Sequence, residues 1–212
     1  MAMKSRMLLL VLLLPVVANV DAAERTNVLL FTADDLHAQS LGVYGSKVRD
    51  LTPHLDRFAA QGMLFQRGHV NVAICAPCRA VIATGLLSHN SGAMGFMKAR
   101  PGTPDIATAF QSAGYLAGIL GKVGHSTPTT TMKWDYSFDR PDLGDGRNPE
   151  VYYERCVAFF KRCQAEGKPF YFMVNSHDPH RPYCNPKKLR PGAAMPSRIY
   201  RPDEVEVPGF LP

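Results

Sequence analysis

Four times along this chain a short run read as a strand gives way to a cluster of ionisable residues, and that recurrence constrains the fold more than any other feature. Asn27–Thr32 stops just before Asp34-Asp35, and Met63–Val70 leads into Cys75-Ala76-Pro77-Cys78-Arg79. Tyr115–Leu120 ends at Gly121-Lys122-Val123-Gly124-His125, and Phe170–Val174 at His177-Asp178-Pro179-His180-Arg181. Short runs rich in β-branched and aromatic residues read as buried strands. Helical patterns lie between them. Thr52-Pro53 opens one that continues through Leu55, Phe58 and Ala59 to Gly62; Pro77–Thr84 is closed by Gly85; Thr103-Pro104 caps one through Ala113; and Pro149–Glu166 is the longest. Threonine before proline is a helix start, and glycine after the last turn is a stop. Strands alternating with helices predict an α/β fold with a mainly parallel sheet flanked by helices. In such sheets ligands bind beyond the carboxyl ends of the strands, where all four clusters fall.

The ends of the chain carry other signals. Lys4 and Arg6 precede the apolar run Met7–Val17, and small residues surround Asp21, so residues 1–22 read as a secretory signal peptide. The run is shorter than the ~20 residues of a spanning helix, which argues against stable membrane insertion. An exported protein is expected, in a periplasmic, extracellular or lysosomal-type compartment. After Val174 proline recurs and apolar periodicity stops, so a loop-rich tail is expected from about residue 178, with the fold incomplete at the C-terminus. The net charge of +6 is scattered without a basic run. That speaks against nucleic acid and suits a basic cleft for a small anion. Five cysteines is an odd count, and Cys156 and Cys163, about 10.5 Å apart on one helix, are too distant to bridge. This is not a disulfide framework.

Each cluster has a bland and a chemical reading. Asp34-Asp35 is either a solvated turn or a pair of hard oxygen ligands for calcium or magnesium. Cys75 at a helix start beside Arg79 is a structural cysteine, half of a C-x-P-C redox pair, or a modified catalytic cysteine in a C-x-P-x-R pattern. Lys122 and His125 make a polar turn, or a cation and an imidazole aimed at a site. His177 and His180 with Asp178 could join a zinc site, given further ligands. Converging on one sheet edge, these groups suit the cleavage of an anionic ester beside a metal.

The segments NVLLFTADD, TPHLDRFAAQGMLF, CAPCRAVIATG, the GK..H element of residues 121–125 and SHDPHRP together resemble the type I sulfatases of the alkaline phosphatase-like superfamily. The resemblance runs from about Asn27 to the end. The HDPHRP stretch is similar to heparan N-sulfatases, and the step from Lys122 to His125 to iduronate sulfatases. It implies that residues 23–212 form an N-terminal part of a sulfatase catalytic domain, cleaving sulfate from a sulfated sugar or glycosaminoglycan. It implies that a maturation enzyme oxidises Cys75 to formylglycine, and that Asp34, Asp35 and the modified Cys75 hold a calcium ion. Arg79 then stabilises the hydrated aldehyde, Lys122 and His180 bind the sulfate oxygens, His125 stands beside the hydrate, and His177 is the less functional histidine of its pair. A proton for the leaving group comes from Lys122, His180 or His125.

The chain departs from the family pattern in two ways. Cys78 stands where many members have serine, which opens a Cys75–Cys78 disulfide that would block modification. The family's later metal-completing aspartate and another basic residue have no match before Pro212, and the final stretch EVEVPGFLP resembles a mid-chain segment. The chain alone is therefore expected to bind metal poorly and to be inactive. Three rivals remain: a thiol-disulfide oxidoreductase, an inactive glycan-binding module of the same family, and a metal-dependent phosphatase.

Overall fold

The computed structural model describes residues 25–205, so the signal-peptide reading and most of EVEVPGFLP lie outside the described residues. The elements follow in chain order: β1 (Val28–Asp34), α1 (Pro53–Ala59), α2 (Cys75–Thr84), α3 (Ser88–Ser91), α4 (Ile106–Ser112), β2 (Leu116–Leu120), α5 (Val123–Ser126), β3 (Tyr136–Phe138), α6 (Pro149–Glu166) and β4 (Phe170–Pro179). The four strands form one parallel sheet in the order β1-β4-β2-β3. The α/β expectation holds. Every connection must cross over the sheet, so helices cover its faces.

The strand that comes last in the chain sits in the middle of the sheet. Tyr171 pairs with Val28 on one side and with Ala117 on the other. Its alternate residues therefore feed two cores. Phe172 and Val174 pack with Leu116, Leu120, Leu143, Phe159 and Cys163 beneath α6. Tyr171 and Met173 pack with Ile119 against Phe110 of α4, Val123 and Trp134. The α6 face is tight: the rings of Phe159 and Phe172 lie 4.3 Å apart. A Cβ on Gly118 would come within 2.8 Å of both, so β2 can pass only as glycine there.

The local signals held with changes. Pro149 occupies the first turn of α6, Asn148 caps it through Glu150 and Val151 N–H, and Gly167 closes it in the left-handed region. The helix after Thr103-Pro104 starts later, at Ile106, because the Asp105 carboxylate accepts from Thr108 N at 2.8 Å. The helix expected from Pro77 starts at Cys75, and the one expected to reach Gly62 ends at Ala59.

Three differences matter more. Met63–Val70 is not a strand: it runs as turns and irregular backbone, with Met63, Phe65 and Val70 exposed. Gln66-Arg67-Gly68-His69 breaks its apolar pattern, and no neighbouring strand offers a ladder. A third partner, β3, is too short for periodicity to reveal. Finally, β4 runs past Val174 to Pro179, so the histidine cluster begins inside the strand. Ala33 pairs with Ser176 but Asp34 with Pro179, so two surplus residues bulge out at His177-Asp178. A bulge re-aims side chains at a strand end.

Residues 181–205 are irregular apart from a short turn of helix at Pro202–Glu204, and the start of this segment is docked. Arg147, buried, donates to Asp178 at 2.7 Å and to the carbonyls of His180 and Pro182. Its other end pairs with Asp145, which also binds Arg140 and Arg190. This ionic knot fastens the segment carrying His180.

Candidate functional site

Four elements meet around one buried carboxylate. Asp34 closes β1, and its Oδ2 forms an ion pair with Lys122 Nζ. Its Oδ1 lies 3.5 Å from Arg79 Nη2 on α2. His180 Nε2, beyond the bulge of β4, stands 3.9 Å from Asp34 Oδ2 and 3.9 Å from Asp35 Oδ2. Burial alone would raise the Asp34 carboxyl. The Lys122 ammonium, then Arg79 and His180, hold it below its ordinary value. It is an anion faced by the Lys122 ammonium and the Arg79 guanidinium.

The backbone is bent out of its ordinary range to achieve this. Asp35 (φ 59°) and Lys122 (φ 51°) are both left-handed without being glycine. Such residues cost on the order of 1–3 kcal/mol each and gather where a site imposes them. The turn at Asp35 leaves its carboxylate half-exposed beside His180, whereas that at Lys122 sends the ammonium inward to Asp34. Gly121 (φ 68°) precedes Lys122, and a Cβ there would fall 2.5 Å from Asn175 O.

His125, on α5, packs edge-to-face against Phe96, its ring centroid 5.5 Å away. Burial, then Lys122, lowers its pKa, so the ring is held neutral. Its Nδ1 is buried without a partner among the described residues. The Nδ1 of His180 meets the Arg181 carbonyl, which orients the ring and turns Nε2 toward the two acids. His177 is buried behind it, 5.1 Å away ring to ring. Burial, then Lys122 and Arg147, pushes its pKa down to about 4. Lys122, His125, His177 and His180 line a cleft of about 370 Å³ with Arg140.

Cys75 lies in the first turn of α2, one turn before Arg79 and on the same face of the helix. Cys75 and Cys78 are both free thiols, so the disulfide that would block modification is not formed. Burial raises the pKa of the Cys78 thiol, away from the low value of a redox cysteine.

Two residues that carry this geometry escaped the sequence reading. Asn175, in the interior of β4, and Thr32, on β1, both bind the Arg79 guanidinium. An asparagine and a threonine inside apolar strand runs look like ordinary strand residues. The one available signal was an amide in a stretch otherwise buried and apolar.

Calcium takes six to eight oxygen ligands, from carboxylates, carbonyls and water. Asp34 and Asp35 fit in kind and converge on His180. They fall short in number, because no group of three or more His, Cys, Asp and Glu side chains able to hold a metal forms among the described residues. The Asp34 oxygen best placed for a cation is held by the Lys122 ammonium.

The sulfatase family model matches residues 26–193, most of the chain. This chain belongs to the sulfatase family. The human N-sulphoglucosamine sulphohydrolase is 32% identical over 90% of the chain and 41% of its own length. The human iduronate 2-sulfatase is 27% identical over 91% of the chain and 42% of its own length. The chain thus spans about two fifths of these relatives. Among solved structures, one described as in complex with its substrate D-glucosamine-2-N,6-O-disulfate superposes with a TM-score of 0.62 at 22% identity, over 74% of this chain and 35% of the other. The sulfatase fold is shared, and both sulfatase branches that the sequence resembles are among the relatives. For this sulfatase-family chain, the five residues Asp34, Asp35, Arg79, Lys122 and His180 come together in space.

Proposed function

We propose that this chain carries the sulfate-binding half of a sulfatase active centre, acting on sulfate esters or sulfamates of a sugar. The observation behind this reading is that Arg79, Lys122 and His180, from three separate elements, converge on Asp34 at the carboxyl end of the sheet. Cations gathered in a largely buried cleft stabilise an anion as charge develops on its oxygens.

The roles are those the family resemblance implies. Cys75 would be the residue modified to formylglycine by a maturation enzyme, and the hydrated aldehyde would supply a hydroxyl to sulfur as the bond from sulfur to the sugar oxygen or nitrogen breaks. Arg79, one turn away, holds that group in place. Asp34 and Asp35 would contribute carboxylate oxygens to a calcium ion, which would supply Lewis-acid polarisation of a sulfate oxygen. Lys122 and His180 bind the remaining sulfate oxygens. His125 lines the same cleft as Lys122 and His180, and the proton for the leaving sugar oxygen or nitrogen is assigned to one of these three groups. Export through the N-terminal segment belongs to the same reading.

Mass spectrometry of the peptide containing Cys75, from protein made in its own host, tests it. An aldehyde at Cys75 supports the reading. A Cys75–Cys78 disulfide sinks it and revives the thiol reading, and insulin reduction then measures that activity. The second reading is a glycan-binding relative without turnover. Tight binding of sulfated glycans with no sulfate release marks it.

A further inference from the structure

The cations at Asp34 come from different elements, so something must fix their spacing. We propose that Asn175 is the positioning residue for both Arg79 and Lys122. For its meaning in turnover this rests on the sulfatase reading above.

Asn175 is fully buried in the central strand. Its amide uses both ends. Oδ1 accepts from Thr32 Oγ1 at 2.6 Å and from Arg79 Nη1. Nδ2 donates to the carbonyls of Leu120 at 3.0 Å and Gly121 at 2.8 Å. Those two carbonyls end β2 immediately before Lys122, so the amide pins the turn that throws Lys122 into its left-handed conformation. On the other side, Thr32 Oγ1 accepts from Arg79 Nη1 at 3.1 Å, and Nη2 is left facing Asp34. One planar group thus spans from the guanidinium to the lysine turn.

The choice of residue argues the same way. Phe172, Met173 and Val174 before it are apolar, as a strand buried on both faces requires. A buried amide costs free energy unless every polar atom is paired, and here each is. Leucine, similar in size, would satisfy none of these partners. Aspartate keeps the acceptor for Arg79 but sets a carboxylate against two carbonyls.

The test is side-chain NMR of the whole chain labelled with ¹⁵N-arginine, paired with titration of inorganic sulfate. The variants are Asn175→Leu and, should that one not fold, Thr32→Val, which removes one partner of the amide on the part-buried side. A held guanidinium shows separate, slowly rotating Nη signals. We expect these for Arg79 in the wild type and their collapse in the variants, with sulfate affinity about tenfold weaker. Unchanged Arg79 signals in a folded variant overturn the proposal. The two readings fail separately. Signals that depend on Asn175 in a chain with no affinity for sulfate leave the positioning intact and remove the sulfatase reading. Sulfate binding with signals indifferent to Asn175 does the reverse.

Discussion

His177 and His180 are three positions apart and have opposite surroundings. His180 looks onto two carboxylates, while His177 is buried with Lys122 and Arg147 nearby. The folded protein therefore resists protonating His177 until about pH 4, while the unfolded chain accepts that proton near pH 6.5. Below pH 6.5 the unfolded state binds more protons, so stability falls as pH drops from 6.5 towards 4 and is flat in this respect above. The shift corresponds to about 3 kcal/mol. Denaturant melts at pH 7, 5.5 and 4.5 should show a steeper acid loss in the wild type than in His177→Gln. Equal slopes would mean that His177 does not carry the effect. At this scale much was readable in advance. Asp34, Lys122 and His180 declare themselves through residue type and place at a strand end, and Arg79 through the C-x-P-x-R pattern alone, since no strand directly precedes it. Asn175 and Thr32 do not, because their role lies in what they touch across the sheet.

At the scale of elements, the longer strands and the capped helices were legible, and short edges were not. Caps and period identify α6, and β1 was found by its apolar run, though it is an edge strand with Leu29 and Phe31 exposed rather than the buried strand expected. β3, three residues long, has no period to read. The Met63–Val70 run has β-type residues but no neighbour, which shows that pairing rather than propensity decides. Two substitutions test the packing. Gly118→Ala should cost about 1–3 kcal/mol, since the new methyl meets Phe159 and Phe172 and neither ring has room to retreat. Thermal melts should place it well below Gly124→Ala, where a Cβ meets nothing. Asp105→Ala should cost about 1–2 kcal/mol, because its carboxylate caps α4 and also accepts from Thr108 and Thr129 hydroxyls. A loss under a few tenths would show that the cap is replaceable.

For the molecule as a whole, β1 is an outer strand of the sheet and shows Leu29 and Phe31 to solvent beside Tyr153 of α6. An edge strand with exposed apolar side chains invites association. The double variant Leu29→Lys, Phe31→Lys should remain monodisperse in light scattering at concentrations where the wild type does not, with little change in melting temperature. Identical scattering would remove the edge as the cause. The sheet order has a further consequence during synthesis. Of the four described strands β4 leaves the ribosome last, and it lies between β1 and β2. About 145 residues lie between the two ends of the future site, which at cellular rates is on the order of ten to thirty seconds. For that interval β1 is an apolar segment with no strand of its own sheet to pair with. The nascent chain must be sheltered until its keystone arrives.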